Sequence, residues 1–217
     1  MLFFIDSANI KEIEELYTYG IIDGVTTNPS LLAKEGGDFY SVAKAICKLV
    51  DGPVSLEVSA LDYDAMLKEG TKILDIAENV VLKLPCTWDG VKACEHFAGK
   101  DALVNMTLCF SSTQALVAAK AGAAYISPFI GRIDDIGGDG LVLIEEIQEI
   151  FANYEWIDTQ ILAASIRNTY HLQQAAMIGA DIATVPANII WQLMNHPLTE
   201  QGLERFTSDW KKSGLKI

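Results

Sequence analysis

Val80–Pro85, with the sequence VVLKLP, is a run of aliphatic residues that one charged side chain interrupts. Its β-branched and aliphatic composition predicts a strand that is buried on both faces, and the proline marks its end. Because side chains alternate across a strand, Lys83 shares a face with Val81 and Pro85, and the residues between them face the other way. In a sheet that is covered by helices, Lys83 therefore points inward.

Similar short runs recur along the chain and alternate with longer stretches whose apolar residues are three and four positions apart. This alternation of strands and amphipathic helices indicates βα units around a parallel sheet. The predicted strands are residues 2–6, 24–28, 54–59, 80–85, 103–108, 124–129, 160–165 and 182–186. The predicted helices are residues 10–19, 39–50, 63–77, 88–98, 112–121, 140–154, 169–178 and 187–194, followed by a last amphipathic stretch, 199–212. Asn9 and Asp62 are expected to begin helices, and Gly122 and Gly179 to end them.

A chain of 217 residues, of which 50% are hydrophobic, can bury one sizeable core. No linker, low-complexity segment or charge block divides it. Eight βα units in so short a chain close more naturally into a barrel than into an open sheet. A flavodoxin-like open sheet, the alternative, would need only about five or six units. We therefore predict an α/β fold, in which residues 1–217 form a single (β/α)8 TIM barrel with an extra C-terminal helix at 199–212.

The distribution of charge and apolar residues excludes several kinds of partner. The net charge of −13 argues against a nucleic-acid or anionic-membrane surface, because phosphate contacts need clustered Lys and Arg. No apolar run approaches the roughly 18 residues that a membrane-spanning helix requires. The segment before Asp6 lacks the basic region of a signal peptide. We expect a cytoplasmic protein with no nucleic-acid or membrane partner.

Cysteine and histidine are the residue types that would reveal a metal site. The four cysteines occur singly, without a CxxC pair, at Cys47, Cys86, Cys94 and Cys109. The three histidines share no ligand spacing, and each is expected at a surface or an interface: His96, His171 and His196. We predict free, mostly buried thiols in a reducing compartment, and no metal site.

Polar residues interrupt the strands near their carboxyl ends, where a barrel carries its active site. Seven of the eight predicted strands contribute, with Asp6, Thr27, Asn28, Glu57, Lys83, Asn105, Thr107, Ser127 and Ser165. A buried charge is costly unless it is paired, so Asp6, Glu57 and Lys83 on three strands indicate a shared purpose. A purely structural ion cluster is the alternative, but it does not require the neutral donors and acceptors on the other strands.

Lys83 is the candidate nucleophile of this set. Burial favours the neutral amine over the ammonium, and a free amine can attack a carbonyl carbon. With carboxylates close by, the same side chain could instead stay charged and paired. Either way, carboxylates suit the chemistry, because forming and dehydrating a carbinolamine requires proton transfers.

Arg132 and Arg167 follow the sixth and seventh predicted strands, and Ser165 lies beside the second of them. Barrels often bind phosphate in the loops after their late strands. Guanidinium groups bind phosphate through two parallel hydrogen bonds. Each arginine alone is more typical of a surface residue, but the pair in an acidic protein favours a phosphate site.

These segments resemble a known family. Asp6 in FIDSAN, residues 24–30 with the sequence GVTTNPS, Lys83 in LKLP, residues 127–132 with SPFIGR and residues 165–168 with SIRN are similar to those of the short transaldolases, which group with the fructose-6-phosphate aldolases. The resemblance continues to the segment DWK at residues 209–211 and therefore covers essentially the whole chain. TTNPS and SPFIGR are its most specific motifs.

The resemblance implies that Lys83 forms a Schiff base with a ketose phosphate. It implies that Asp6 accepts the proton of the C4 hydroxyl as the C3–C4 bond breaks, and that Glu57 moves protons with a water held near Thr107. The substrate-binding residues that we expect are Thr27, Asn28, Asn105, Ser127, Phe129, Arg132, Ser165 and Arg167. Of these, Arg132, Ser165 and Arg167 are expected to hold the phosphate.

The implied reaction transfers a dihydroxyacetone unit within the non-oxidative pentose phosphate pathway. The donor is fructose 6-phosphate or sedoheptulose 7-phosphate, and the acceptor is erythrose 4-phosphate or glyceraldehyde 3-phosphate. No metal or organic cofactor is implied.

Two positions choose between the branches of the family. The aldolase branch is expected to carry Gln where this chain has Glu57 and Tyr where it has Phe129. A phenol can donate a proton and phenylalanine cannot, so both positions fit transaldolase. Fructose-6-phosphate aldolase and a non-catalytic sugar-phosphate-binding barrel remain the alternatives.

The last amphipathic stretch, 199–212, carries Leu203, Phe206 and Trp210 on one face. It could cap the helices of its own barrel. The resemblance implies instead that it packs on a neighbouring subunit in a homo-oligomer, either a pentamer or a decamer of two such rings.

Overall fold

The computed structural model describes residues 1–36 and 38–216 and contains one closed parallel barrel. The strands are β1 (Leu2–Asp6), β2 (Gly24–Thr26), β3 (Val54–Glu57), β4 (Val80–Pro85), β5 (Val104–Cys109), β6 (Tyr125–Pro128), β7 (Gln160–Ala163) and β8 (Ile182–Val185). They follow one another around the barrel in chain order, and β8 pairs with β1 to close it. The predicted (β/α)8 barrel is confirmed.

Helices surround the barrel on its outer side. They are α1 (Ile10–Tyr17), α2 (Pro29–Glu35), α3 (Phe39–Leu49), α4 (Tyr63–Leu74), α5 (Trp88–Ala98), α6 (Ser112–Lys120), α7 (Ile130–Asp134), α8 (Gly140–Ala152), α9 (Thr169–Ile178), α10 (Ala187–Gln192) and α11 (Pro197–Ser213). Among the described residues, no helix is both long and apolar enough to cross a membrane.

The hydrophobic core has two layers that follow the alternation of each strand. A small cluster that includes Phe4, Val81, Tyr125 and Leu162 fills the barrel interior. The opposite faces of the strands pack against the helices in a larger cluster, to which Leu82 belongs. Val81 therefore points inward, and Lys83, two positions further along β4, has the same direction.

The capping roles predicted for Asn9, Asp62 and Gly179 are confirmed, although several helices end two or three residues before the predicted position. Asn9 accepts hydrogen bonds from the main-chain nitrogens of Lys11 and Glu12, and Asp62 accepts one from Ala65. Gly179 ends α9 at φ 99°, in the left-handed region where glycine pays no Cβ penalty.

Two short helices were not predicted, and several strand ends were predicted too far along the chain. α2 and α7 begin directly after the motifs TTN and SPF, and each is too short to show a helical apolar period. The polar motifs after β2, β3 and β7 were included in the strands, but these strands end at Thr26, Glu57 and Ala163.

Candidate active site

Lys83 lies on β4, between β3 and β5 of the barrel. The register pairs it with Glu57 on β3 and with Asn105 on β5. Its side chain is almost fully buried, and Nζ lies 3.0 Å from Glu57 Oε2. Nζ also donates to the main-chain oxygen of Thr27, at 3.0 Å. The sequence left open whether this lysine is a free amine or is paired with a carboxylate. In the structure it is paired, and the carboxylate of Glu57 is in position to take its proton.

Asp6 ends β1 in a separate hydrogen-bonded group. Thr26 Oγ1 donates to Asp6 Oδ1 at 2.9 Å, and the hydroxyl groups of Thr26 and Thr184 are 2.5 Å apart. Burial raises the pKa of Asp6 above its ordinary value, while the charge of Lys83 and the hydrogen bond from Thr26 act in the opposite direction. A carboxylate whose charge is disfavoured by burial is a better proton acceptor than one in water.

A second layer of polar residues lies deeper in the barrel wall. Asn105 is fully buried, and its amide donates to Ser55 Oγ at 3.2 Å. Its carbonyl oxygen accepts from Ser127 Oγ at 2.7 Å. Thr107 is also fully buried, and its Oγ1 has no hydrogen-bond partner within the described part of the chain. Buried hydroxyls without a protein partner typically bind an ordered water.

A cavity of about 190 Å³ opens beside Lys83 and Asp6. Among the predicted site residues it is lined by Asp6, Asn28, Lys83, Ser127, Phe129, Arg132, Ser165 and Arg167. The other four, Thr27, Glu57, Asn105 and Thr107, do not line it. Most of the predicted set thus converges on one space, with the arginines and the lysine in its wall.

Two guanidinium groups enter this cavity from adjacent segments. Arg132 on α7 stacks over the ring of Phe129, with Cζ 5.0 Å from the ring centroid. Arg167 forms an ion pair of 2.8 Å with Asp135. Gly131 lets the two segments approach, because a Cβ there would lie 2.1 Å from the main-chain oxygen of Ser165. This spacing explains why glycine stands inside the SPFIGR motif.

His171 joins the same two segments, contrary to the expectation of a surface or interface histidine. Its side chain is only 8% exposed, and Nε2 lies 2.9 Å from Asp134 Oδ2 on α7. Its Nδ1 accepts from the main-chain nitrogen of Arg167 at 3.3 Å. The local apolar spacing of α9 gave no sign of this role, which depends on contacts across the barrel rim.

The side chain of Thr27 does not line the arginine cavity. Its hydroxyl donates to the main-chain oxygen of Ser55 at 2.9 Å, so its side chain faces the barrel wall rather than the cavity. Its main-chain nitrogen also donates to Ser55, and its carbonyl oxygen is the atom that contacts Lys83.

Three hydroxyl residues of the site were missed in the sequence, namely Thr26, Ser55 and Thr184. Thr26 and Thr184 line the cavity, and Ser55 binds Asn105 from behind it. Thr184 brings the eighth strand into the site, so every strand of the barrel contributes. Its position two residues after the inward-facing Ile182 was the available signal.

Glu57 also borders a second, larger cavity of about 530 Å³ between α2, α3 and α4. Its side chain is 14% exposed, against 6% for Lys83. Glu57, which pairs with the lysine, therefore also borders a space that is separate from the arginine cavity.

The cysteines are free, as expected, with Cys47, Cys94 and Cys109 buried and Cys86 partly exposed. Burial raises the pKa of the Cys47 thiol to about 11 and that of Cys94 to about 12, which keeps both unreactive. Within the residues that the structure describes, no three His, Cys, Asp or Glu side chains are grouped closely enough to hold a metal ion.

Comparison with known proteins identifies the family. The family model described as Transaldolase/Fructose-6-phosphate aldolase matches residues 3–217. Proteins of Parvibaculum lavamentivorans and Dinoroseobacter shibae, both named "Probable transaldolase", are each 57% identical over 217 residues, which is 100% of this chain and of theirs. Inosine 5' monophosphate dehydrogenase from Legionella pneumophila has a TM-score of 0.58 at 14% identity, over 85% of this chain and 58% of that one, and shares the fold alone. The chain belongs to the transaldolase/fructose-6-phosphate aldolase family.

Proposed function

We propose that the protein is a transaldolase that moves a dihydroxyacetone unit between sugar phosphates through a Schiff base on Lys83. The observation that carries the proposal is the buried pair of Lys83 and Glu57 beside a cavity with two arginines. Relatives that are named probable transaldolase at 57% identity support the same assignment.

The first steps use Lys83 and Glu57. Glu57 takes a proton from the ammonium, and the free amine attacks the C2 carbonyl of the ketose phosphate to form a carbinolamine. Glu57 then returns a proton to the leaving hydroxyl, so that water departs and an iminium ion forms. The 3.0 Å between Nζ and Oε2 suits the first of these transfers.

Cleavage uses Asp6. Its carboxylate takes the proton of the C4 hydroxyl, the C3–C4 bond breaks, and its electron pair moves to the iminium to give an enamine. The aldose phosphate leaves, and an acceptor aldose phosphate then takes the three-carbon unit by the same steps in reverse. Burial, which raises the pKa of Asp6, strengthens it as the acceptor of this proton.

Binding is divided between the two sides of the cavity. Arg132, Arg167 and Ser165 would hold the phosphate, and Asn28 and Ser127 would bind the hydroxyls of the dihydroxyacetone unit. Asn105 acts from behind, since it accepts the hydrogen bond of Ser127. The buried hydroxyl of Thr107 would hold the water that shuttles protons with Glu57.

Borohydride treatment in the presence of fructose 6-phosphate tests the covalent mechanism. We expect a stable adduct on Lys83, found by peptide mass spectrometry, and none on the Lys83→Met variant. Lys92, on the outer helix α5, provides the matched control, and its Met variant should trap the sugar like the wild type. An unmodified Lys83 after treatment would contradict the covalent mechanism and favour a binding protein.

Fructose-6-phosphate aldolase is the second candidate, because it would share the Schiff base. Phe129, which lines the cavity without an acidic hydrogen, favours transaldolase, since the enamine then waits for an acceptor. A coupled assay for glyceraldehyde 3-phosphate separates the two: we expect turnover only with erythrose 4-phosphate. Steady cleavage without acceptor would assign the aldolase activity instead.

We also propose that α11 packs on a neighbouring subunit. Leu203, Phe206 and Trp210 on this helix are 61%, 71% and 45% exposed, a larger apolar surface than a monomer usually leaves open. Light scattering is expected to give a pentamer or decamer for the wild type and smaller species for Phe206→Glu. An unchanged mass in that variant would place the contact elsewhere.

The compartment and pathway belong to the same proposal. Four free cysteines fit a reducing compartment, and we place the enzyme in the cytoplasm. There it would serve the non-oxidative pentose phosphate pathway, and loss of the protein should raise the cellular level of sedoheptulose 7-phosphate.

A further inference from the structure

The hydroxyl groups of Thr184 and Thr26 form a short chain that ends on Asp6. Thr26 Oγ1 lies 2.9 Å from Asp6 Oδ1 and 2.5 Å from Thr184 Oγ1, and both threonines are buried. Thr26 pairs with Asp6 across β2 and β1, whereas Thr184 pairs with Phe4 across β8 and β1. The chain thus connects the carboxyl group of β1 to the strands on both of its sides.

The donors in this chain can be assigned. A hydroxyl has one proton, and an ionised carboxylate only accepts hydrogen bonds. Thr26 therefore donates to Asp6 when Asp6 is ionised, and Thr184 must donate to Thr26. If Thr26 donated to Thr184 instead, the proton of Thr184 would need another acceptor, and residues 1–36 and 38–216 supply none.

The two oxygens of Asp6 consequently differ. Oδ1 accepts from Thr26. Oδ2 has no hydrogen-bond partner in the described part of the chain and belongs to a side chain that lines the cavity. Oδ2 is the oxygen left free to take a proton from a substrate hydroxyl.

Several charged groups also affect the ionisation of Asp6. Lys83 on β4 favours its ionised form, and burial opposes it. Arg132 and Arg167 line the same cavity as Asp6, and Glu57 is paired with Lys83. Within the described residues the hydroxyl of Thr184 bonds to Thr26 and to none of these charged groups, so a change at Thr184 tests the hydroxyl chain.

We infer that Thr184 is a positioning residue for the proton transfer: its hydroxyl makes Thr26 a stronger donor to Oδ1 of Asp6 and reserves Oδ2 for the substrate. The inference rests on the proposed function, in which Asp6 accepts the proton of the C4 hydroxyl. That proton adds to Oδ2, and the threonine protons stay where they are. Hydrogen bonds in a chain polarise one another, so removing the outer donor weakens the inner bond.

Infrared titration of the Asp6 carboxyl tests the inference directly. The band of the protonated acid is assigned by its absence in Asp6→Asn. We expect Thr184→Val to raise the titration midpoint of the Asp6 carboxyl by about half to one pH unit, because the ionised form of Asp6 loses part of a hydrogen bond. Thr184→Ser, which restores the hydroxyl, should keep the midpoint near that of the wild type. The acid limb of the pH profile of kcat/KM should also shift to higher pH. Below the midpoint, kcat/KM of the variant should therefore be roughly 3- to 10-fold lower than that of the wild type.

Two results would overturn the role of Thr184: an unchanged midpoint in Thr184→Val, or an equal rise in Thr184→Ser, which would assign the effect to packing. If the valine variant does not fold, Thr184→Cys replaces it, since a thiol is a weak donor and must raise the midpoint too. Trapping on Lys83 keeps the two proposals apart. A wild type that forms no adduct contradicts the Schiff base, whereas a trapped adduct with an unmoved midpoint contradicts only the role of Thr184.

Discussion

Lys83 and Glu57 occupy paired positions on adjacent strands, and their charged atoms are 3.0 Å apart inside the barrel. A buried ion pair of this kind is asymmetric in its energetics, because removing one partner leaves the other charge without compensation. The same contact lets a proton pass between lysine and carboxylate. Structural and chemical effects of a substitution here must therefore be measured separately.

Glu57→Gln separates them. The amide keeps the shape and can accept a hydrogen bond from Lys83, but it cannot take its proton. We expect kcat to fall by roughly 100-fold, and the free energy of unfolding to fall by about 1–3 kcal/mol. Glu95→Gln, on the exposed face of α5, is the control and should change neither quantity. A Glu57→Gln enzyme with wild-type kcat would show that another group carries these protons.

The fold and most of the site could be predicted because both depend on alternation. A side chain that interrupts a strand inherits its direction from its neighbours, which is why Lys83 and Asp6 were placed correctly. Applied to β2, the same rule selects Thr26 and not Thr27: Val25 packs against the helices, Thr26 lines the cavity, and the hydroxyl of Thr27 faces the wall. His171 could not be predicted at all, because its partners come from α7 and the β7–α9 loop, which only the closed barrel brings together.

Asp6→Asn should lower the activity and raise the stability of the protein. Burial raises the pKa of Asp6 in the folded protein above 3.8, its ordinary value. At a pH between 3.8 and the raised pKa, the folded protein therefore binds a proton that the unfolded chain does not. The stability of the wild type therefore falls as pH rises through this window. At pH 7 we expect the variant to be about 1 kcal/mol more stable and roughly 100-fold or more less active. Urea unfolding should show the gain shrinking as pH is lowered towards 3.8. A gain that does not depend on pH would contradict the assigned cause.

Thr107→Val tests the buried hydroxyl that lacks a protein partner. Valine has the same shape, so we expect stability to stay the same or to increase by about 1 kcal/mol, with kcat lowered roughly 10-fold and restored in Thr107→Ser. Thr159→Val is the matched control: its hydroxyl donates to Ala123 at 2.7 Å, and its loss should destabilise the fold without changing kcat. Thermal unfolding and steady-state kinetics on all three variants decide the matter. Full activity in Thr107→Val would remove this residue from the proton path.

His171→Leu should loosen the phosphate side of the cavity. The imidazole connects Asp134 to the main chain of Arg167, and its loss frees the segments that carry Arg132 and Arg167. We expect KM for phosphorylated sugars to rise by about 10-fold, while kcat changes much less. The KM of an unphosphorylated acceptor aldehyde should not change. His96→Leu, on α5, serves as the control. Equal effects on both substrate types would mean that His171 supports the fold in general and not the phosphate site.

Phe129→Tyr should introduce the acid that the enamine lacks in this chain. The ring of Phe129 lines the cavity and packs under Arg132, and tyrosine adds a phenolic hydroxyl to this ring. A proton donor near the enamine lets it be protonated and released as dihydroxyacetone, without an acceptor. We expect acceptor-independent cleavage of fructose 6-phosphate to increase by at least 10-fold, and transfer to erythrose 4-phosphate to decrease. Phe110, whose ring centroid lies 5.8 Å from that of Phe129, is the matched control, since Phe110→Tyr adds the same hydroxyl outside the cavity lining. If both variants gain the aldolase activity equally, added polarity and not a positioned acid explains the change.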